Sequence, residues 1–261
     1  MKLFLNPTLK KGLVTSALIA FLLVCFSCRK EKNEVIRIAT ASNMQFAIQE
    51  ICNSFTEQTG IECEIILGSS GKHTAQILQG APFDIFLSAD MKYPQKIFEE
   101  SLAEKSPKVY ALGQLILVTA SAEKPYLSIL TVDSIQNIAI ANPKIAPYGK
   151  ATLEFLQNSG MYDTIQSKLV YGENVSQVNQ FVLSGVASVG ITSQSVVYSG
   201  TAINNLQYIT IPKQLYRPIK QGALLLKRNN EHQDESTQFY HFLFSVQSQK
   251  ILKDFGYLIP E

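Results

Sequence analysis

A hydroxyl-rich turn in LGSSGKHTAQIL (67–78) is the stretch of this 261-residue sequence whose residue types most directly suggest chemistry. An apolar, strand-like run ends at Leu67, and a helix-compatible stretch begins near Ser70. The Gly71-Lys72 pair hints at a phosphate loop, but the GxxxxGK[ST] spacing is absent. The turn would still direct the N-terminal N–H groups of the helix and the serine hydroxyls at a bound ligand. Since these groups are hydrogen-bond donors, they favour an anion.

Turns of the same kind recur between predicted strands and helices in both halves of the chain. Ligands in open α/β sheets bind at the carboxyl ends of the strands, so we expect these turns to converge on one cleft. Because Ser and Asn are also the ordinary helix N-caps, capping is the alternative role for each turn taken singly. Besides the Ser70 turn, they hold Ser42, Tyr148-Gly149, Asn174-Val175 and Thr192-Ser193.

Ser70 and His73 raise a different possibility, a secreted serine hydrolase, with Asp84 or Asp90 available as the acid. The GSSG sequence is not the GxSxG nucleophile elbow, and the chain has three histidines in all. We therefore expect His73 on the surface of a helix, Asp90 as a helix N-cap and Lys72 as a solvated charge.

The elements that position these turns follow from hydrophobic periodicity. Strands at VIRIAT (35–40) and FDIFLS (83–88), with a third strand and helices between them, predict a parallel sheet covered by helices on both faces. A second alternating set follows, and two helices end the chain. We predict two α/β lobes, lobe 1 from residues 35–112 and 222–261 and lobe 2 from residues 113–221.

The N-terminal segment is typical of an export signal. Three lysines precede an uncharged apolar segment, residues 13–26, that is too short for a membrane span. The Ser27-Cys28 pair is similar to a lipoprotein cleavage box, so residues 1–27 are predicted to be a lipoprotein signal peptide and Cys28 the lipidated residue. Ordinary cleavage nearby is the alternative. The charged, apolar-poor residues 28–34 are predicted to be a tether.

Charge and cysteine usage exclude two classes of function. Removing residues 1–27 takes away three of the 23 basic residues and none of the 21 acidic ones, so the mature chain is near neutral and lacks the basic field that holds nucleic acid. Cys52 and Cys63 show no CxxC or Cys/His spacing that would indicate a metal. They are predicted to be buried free thiols or, since export permits it, a disulfide between a helix and a strand.

Several of these runs, taken in order, resemble the periplasmic molybdate-binding proteins of ABC importers. The likeness covers about residues 35–260, and its specific parts are the block GSSGK…FDIFLSAD and the motif NPxxAPYG. The resemblance implies a two-lobed type II periplasmic solute-binding fold, each lobe a mostly parallel sheet flanked by helices. The matching runs are IATASNM, LGSSGKHTAQILQGAPFDIFLSAD, NPKIAPYGKATLEFL, GENVSQVNQFVLSGVASVGIT, GALLLK and FGYLIP.

Carried over position by position, the resemblance implies five ligand positions for molybdate or tungstate. Ser42 and Ser70 would contact the oxyanion through their hydroxyls, and Tyr148 and Val175 would do so through their backbone amides. The family often has a tyrosine after the Gly-Ile of the later strand, and that position holds Ser193 here. The metal centre of the oxyanion would have no direct protein ligand, and no cofactor is implied.

The chemistry of the donors agrees with the resemblance. Molybdate near neutral pH is an unprotonated dianion that offers only acceptors, whereas hydrogen phosphate carries a proton that requires an acceptor. We therefore predict a monomeric, non-enzymatic binding protein, lipid-anchored in the periplasm or at the cell surface, that delivers its anion to an ABC permease. A receptor for sulfate or another oxyanion is the alternative of the same class.

Overall fold

The structure is a computed structural model that describes residues 35–198, 206–228 and 233–260. The predicted signal peptide (1–27), the lipidation site Cys28 and the tether (28–34) lie outside the described residues. Within the described ranges, no helix is long and apolar enough to cross a membrane.

Two five-stranded mixed sheets form the framework of the molecule, and their strands are numbered in chain order. The first sheet has the order β2-β1-β3-β10-β4. In it, β1 pairs in parallel with β2 and β3, whereas β10 runs antiparallel to β3 and β4. Four of its five strands therefore run the same way, as predicted. These strands are β1 (Val35–Ala41), β2 (Glu62–Gly68), β3 (Ile85–Ser88), β4 (Lys108–Gly113) and β10 (Ile219–Leu225).

The second sheet repeats this arrangement, with the order β7-β6-β8-β5-β9. Here β6 pairs in parallel with β7 and β8, and β5 runs antiparallel to β8 and β9. The two mostly parallel sheets predicted from the sequence are thus confirmed. The strands are β5 (Leu115–Thr119), β6 (Ile138–Ala141), β7 (Leu169–Gly172), β8 (Val189–Ser193) and β9 (Gln207–Thr210).

Helices cover both sheets because each presents an apolar stripe at helical spacing. In the first helix, for example, Ile48, Ile51 and Phe55 are fully buried, and the Phe55 ring packs edge-on against Phe239 at 5.2 Å. The described helices are α1 (Gln45–Thr59), α2 (Ser70–Leu78), α3 (Lys92–Glu99), α4 (Pro147–Asn158), α5 (Tyr162–Ile165), α6 (Val175–Leu183), α7 (Gln233–Leu243) and α8 (Val246–Asp254).

The chain crosses between the sheets twice. It leaves the first sheet at Gly113 and enters the second at Leu115, and it returns between Thr210 and Ile219. A side chain at residue 113 has no room, because a Cβ there would lie 2.1 Å from the Tyr148 hydroxyl. The first crossing is therefore packed directly against α4.

The two cysteines on α1 and β2 are free thiols in the structure. Cys52 is buried in the core of the first sheet, and a hydrogen bond with Cys63, together with burial, raises the pKa of the Cys52 thiol. The Cys52 thiol is thus held protonated in an apolar setting. The two free thiols agree with the simpler of the two predictions, except that Cys63 is half-buried.

Candidate functional site

A small cavity of about 10 Å³ lies where the carboxyl ends of strands from both sheets meet. Turns after β1, β2 and β3 line one side, and turns after β6 and β7 line the other. Among residues 35–198, 206–228 and 233–260, no lysine, arginine, histidine or carboxylate lines the cavity. The polar ones are Ser42, Asn43, Ser69, Ser70, Tyr148 and Asn174, and Val175 lies beside them.

Ser70 is fully buried at the first position of α2. The preceding residue, Ser69, caps this helix, because its side chain accepts a hydrogen bond from the Lys72 N–H at 3.3 Å. The Ser70 Oγ accepts a hydrogen bond from the Ala89 N–H at 3.0 Å. No acceptor for the Ser70 hydroxyl hydrogen is found among the residues that the structure describes, so this hydrogen is available to a bound ligand.

Ser42 follows β1 and begins the 3-10 turn Ser42–Met44, which leads into α1. Ser42 is 3 % exposed, and its hydroxyl makes no hydrogen bond to another side chain or backbone group in the described ranges. The ends of β1 and β2 are adjacent, since Ala41 pairs with Gly68, so the Ser42 and Ser70 turns lie side by side.

Tyr148 occupies the second position of α4, after Pro147. Proline suits the first position because its fixed φ is helical and it has no N–H to leave unpaired. Gly149 allows the helix to approach β6, since a Cβ at that residue would lie 2.1 Å from the Ala141 carbonyl oxygen. The sequence APYG thereby brings the Tyr148 backbone amide, which has no carbonyl partner within the helix, to the cavity.

Val175 is the first residue of α6, and Asn174 caps that helix by accepting a hydrogen bond from the Gln177 N–H at 3.2 Å. The ends of β6 and β7 are adjacent, because Ala141 pairs with Gly172. The α4 and α6 N-termini therefore face the cavity together, as the Ser42 and Ser70 turns do from the first sheet.

The electrostatics of the cavity come from these helix ends. The helices α2, α4 and α6 are nine, twelve and nine residues long, and each directs its partly positive N-terminus at the same small space. Several N–H groups and hydroxyls aimed at one point, with no cationic side chain among the lining residues, make a site that solvates a small anion by dipoles.

Ser193, the fifth predicted position, is placed differently. It ends β8 and is fully buried, but it does not line the cavity. Its Oγ lies 2.9 Å from the Oγ of Ser195. The structure therefore brings four of the five predicted positions together, and it adds Asn43, a lining residue that sequence reasoning missed.

His73 corrects one expectation from the sequence, because it is buried and not on the helix surface. Its Nε2 lies 3.1 Å from the Thr40 carbonyl oxygen and its Nδ1 lies 3.1 Å from the Gln76 Oε1. Burial lowers the pKa of this imidazole. Since neither ring nitrogen contacts the Ser70 hydroxyl, the serine–histidine pair that a hydrolase requires is not formed.

The remaining charged groups near the turns have structural partners. The Asp90 Oδ1 accepts a hydrogen bond from the Tyr93 N–H at 3.2 Å in the first turn of α3, although the N-cap position itself is held by Met91, and burial raises the pKa of the Asp90 carboxyl. Lys72 was expected to be solvated, but it forms an ion pair with Glu173 at 3.1 Å while both side chains stay about half exposed. Among the described residues, no cluster of His, Cys, Asp or Glu could hold a metal ion.

The contacts between the two sheets continue at the rim of the cavity. The Gly71 N–H donates to the Ile145 carbonyl oxygen at 3.0 Å, and the Tyr93 hydroxyl donates to the Lys144 carbonyl oxygen at 3.3 Å. Together with the Lys72–Glu173 pair, these contacts hold the two sides of the cavity against each other.

Comparisons with known proteins agree with this geometry. Residues 36–258 match the family of bacterial extracellular solute-binding proteins. The chain is 38 % identical over 224 residues to the molybdate-binding protein ModA of Rhodobacter capsulatus, covering 84 % of this chain and 86 % of that protein. It is 26 % identical over 257 residues to a putative ABC transporter substrate-binding lipoprotein, YvgL, of Bacillus subtilis, covering 95 % of this chain and 98 % of the relative.

A solved structure, the periplasmic molybdate-binding protein of Azotobacter vinelandii, matches the fold with a TM-score of 0.79 at 32 % identity. The match covers 87 % of this chain and all of that protein. The likeness therefore extends over both sheets and the cavity between them.

Proposed function

This chain belongs to the molybdate-binding proteins of the bacterial extracellular solute-binding family, and we propose that its cavity captures molybdate or tungstate for an ABC importer. Members of this family bind a solute and do not transform it, so the chain is not an enzyme. The relatives named above as molybdate-binding proteins are the source of the ligand in this proposal.

The observation that carries the proposal is the state of the Ser70 hydroxyl. Its oxygen accepts the Ala89 N–H, and its hydrogen has no acceptor among the described residues, so the hydroxyl can donate to a ligand in the cavity. A donor fixed in this way suits an anion whose surface offers only acceptors, and a tetraoxo dianion has that surface. The helix N-termini around it supply further N–H donors without burying a cationic side chain.

We assign a role to each of the four predicted ligand positions that line the cavity. Ser42 and Ser70 donate their hydroxyl hydrogens to the oxyanion, and Tyr148 and Val175 donate backbone N–H groups. The metal centre of the anion has no direct protein ligand in this scheme. A contact of Ser193 with the anion stays a prediction, since its hydroxyl lies beside Ser195 instead.

Capture requires the two sides of the cavity to close over the anion. We propose that residues 35–112 with 222–261, and residues 113–221, move as lobes 1 and 2 about the two crossings. A ligand that bridges both lobes stabilises the closed state through the contacts it makes only there. The rim contacts between Gly71 and Ile145 and between Lys72 and Glu173 belong to that closed state.

To deliver its anion to an importer, the protein must lie outside the cytoplasm and contact that importer. The family is extracellular and one relative is named a lipoprotein, which supports a lipid anchor on Cys28 of this chain. We propose a monomer tethered to the membrane by that lipid, with an ABC permease as its partner. Cys28→Ala should release the protein from membranes or block its processing, whereas Cys25→Ala should do neither. The opposite pattern would place the lipid on Cys25.

Thermal unfolding with four oxyanions tests the proposed ligand. A ligand that binds only the folded state raises stability by about 2.7 kcal/mol at a concentration 100 times its Kd. Molybdate and tungstate should each raise the melting temperature, and phosphate should not, because the lining residues offer its proton no carboxylate or imidazole acceptor. If sulfate shifts the melting temperature and molybdate does not, the chain is a receptor for a different oxyanion.

A further inference from the structure

A group of buried polar side chains lies directly behind the cavity and joins the two sheets. Its centre is Asn43, which follows the proposed ligand Ser42. The Asn43 Nδ2 donates to the Gln221 Oε1 at 2.9 Å and to the Tyr257 hydroxyl at 2.7 Å. The Asn43 carbonyl oxygen accepts from the Ser195 hydroxyl at 2.7 Å and from the Tyr257 hydroxyl at 2.9 Å. Each of these residues is at most 4 % exposed.

The hydrogens in this group can be assigned one by one. Asn43 uses both hydrogens of its amide, and Tyr257 uses its single hydroxyl hydrogen on the Asn43 carbonyl oxygen. Ser195 uses its hydrogen on the same carbonyl oxygen, so in its 2.9 Å contact with Ser193 it must be the acceptor. The Ser193 hydroxyl hydrogen is therefore directed at Ser195 and away from the cavity.

The group bridges the two sheets through Ser195, which donates to the Asn43 carbonyl oxygen. Asn43 lies in the turn after β1 of the first sheet, and Ser195 lies in the 3-10 turn Gln194–Tyr198 after β8 of the second. Gln221 belongs to β10, which begins where the chain returns from the second sheet. Separation of the sheets breaks the hydrogen bond from Ser195 to Asn43, whereas the bonds among Asn43, Gln221 and Tyr257 remain within the first sheet and the C-terminal segment.

We propose that Ser195 and Asn43 form a clasp that holds the closed state and thereby positions the Ser42 turn over the bound anion. The inference rests on the proposed function, and it gives the turn after β8 a role that needs no direct contact of Ser193 with the ligand. Ser195 is a positioning residue, because it acts on the anion through the backbone of Asn43.

The clasp acts on release of the anion more than on its capture. A hydrogen bond that exists only in the closed state must break before the lobes part, and most affinity differences among variants of one site lie in the dissociation rate. Because the bond is buried, its loss leaves the Asn43 carbonyl oxygen with the Tyr257 hydroxyl as its one remaining donor in this group, which makes the closed state sensitive to the loss of the Ser195 hydroxyl.

Dissociation kinetics on three serine variants test the clasp. Calorimetry first identifies which of four anions, molybdate, tungstate, sulfate or phosphate, the parent protein binds most tightly. That anion is then bound in radiolabelled form, and rapid filtration follows its release into an excess of the unlabelled anion. Ser195→Ala should speed release about tenfold, an effect of ~1.4 kcal/mol, with little change in the association rate. Ser193→Ala should speed release less than about threefold, because the Ser195–Asn43 bond remains in that variant.

Ser248→Ala is the matched control. Ser248 is fully buried, and its hydroxyl also donates to a carbonyl oxygen at 2.7 Å, that of Phe242, but this bond lies within the C-terminal helices. The control should lower the melting temperature of the anion-free protein and leave release unchanged. A larger effect on release from Ser193→Ala than from Ser195→Ala, or equal effects from Ser195→Ala and Ser248→Ala, would overturn the clasp.

The proposed function and the clasp can fail separately in this experiment. Tight binding of sulfate without molybdate, with faster release from Ser195→Ala, would reject the proposed ligand and keep the clasp. Tight binding of molybdate with unchanged release from Ser195→Ala would keep the ligand and reject the clasp. A parent protein that binds none of the four anions would reject both.

Discussion

The two sheets share one strand order but contribute to the cavity with different chemistry. In each, a central strand pairs in parallel with two neighbours and an antiparallel strand lies next to the third. The turns that line the cavity follow directly after paired strand ends, which are Ala41 with Gly68 and Ala141 with Gly172. The same topology thus presents two pairs of turns to one point.

The difference lies in which atoms these turns present. The proposed side-chain donors, the hydroxyls of Ser42 and Ser70, come from the first sheet beside the N-terminus of α2, whereas the donors proposed for the second sheet are the first-turn amides of α4 and α6. A hydroxyl is removed by changing one side chain, but an amide is removed only by moving the backbone. The comparison therefore predicts that side-chain changes weaken binding in the first sheet and backbone changes weaken it in the second.

Loss of the Ser70 hydroxyl should have the largest effect on affinity. The bound dianion would lose a donor inside a buried site, which costs about 1–3 kcal/mol and raises the Kd for molybdate on the order of 10- to 100-fold. Calorimetric titration of Ser70→Ala with molybdate measures this change. Ser248→Ala, which also removes a buried hydroxyl, should bind like the parent, and a Ser70→Ala variant that did the same would break the comparison.

Displacement of the α4 N-terminus should have the next largest effect. In Gly149→Ala the new Cβ would approach the Ala141 carbonyl oxygen to 2.1 Å, so the helix must move away from β6 and carry the Tyr148 amide with it. We expect affinity to fall about tenfold, in line with one weakened hydrogen bond to a charged group.

Gly160→Ala, at the other end of the same helix, is the control for Gly149→Ala. Gly160 has φ +72 and open space around it, so alanine there strains the backbone without a steric clash. It should lower stability by about 1 kcal/mol and leave the Kd for molybdate unchanged. Equal losses of affinity in the two variants would mean that Gly149→Ala acts through stability alone.

Side-chain changes at the amide donors should have small effects. The Tyr148 hydroxyl is buried near the Gln221 amide without a well-formed hydrogen bond, so Tyr148→Phe removes no donor from the cavity and should not lower the melting temperature. Val175→Ala likewise keeps its backbone N–H. Calorimetry should find the Kd of each within about threefold of the parent, and a large loss would show that the second sheet also binds through side chains.

A change of pH should alter stability and leave affinity nearly constant. The folded-state pKa of His73 lies below its ordinary value of 6.5 because the ring is buried, so the unfolded chain takes up the proton more readily. Stability is therefore lost as the pH falls below about 6.5. In His73→Gln this part of the pH dependence should disappear from thermal unfolding curves, while the molybdate Kd should stay level between about pH 6 and pH 8.

The sequence predicts the strands and helices well where a local pattern of apolar residues marks them. Alternating and helical periodicities locate most strands and helices, and they place the Ser42, Ser70, Tyr148 and Val175 turns at strand ends. The strand β4 (Lys108–Gly113) was not predicted, because it lies at the edge of its sheet and pairs with β10, which lies more than one hundred residues later in the chain. The short helix α5 was missed for want of a repeating apolar pattern.

The errors at the site have physical causes as well. Helix α2 buries Ser70, His73 and Thr74 with Ile77, so polar residues occupy its core-facing positions and the apolar pattern gives no sign of that face. Ser195 and Tyr257 meet Asn43 across 152 and 214 residues of sequence. Contacts of that separation are set by the packed fold and have no signature in a local pattern.

Titration of molybdate in two buffers with different heats of ionisation tests the central claim most directly, since the claim is that hydroxyls and amides alone hold an unprotonated dianion. Within the described part of the chain, no lysine, arginine, histidine or carboxylate lines the cavity, so binding near neutral pH should move no proton. We expect one molybdate to bind per chain, with the same binding heat in both buffers. Heats that differ by the ionisation heat of the buffer would reveal a titrating group in the site, and the absence of binding heat in either buffer, with an unchanged melting temperature, would contradict the account altogether.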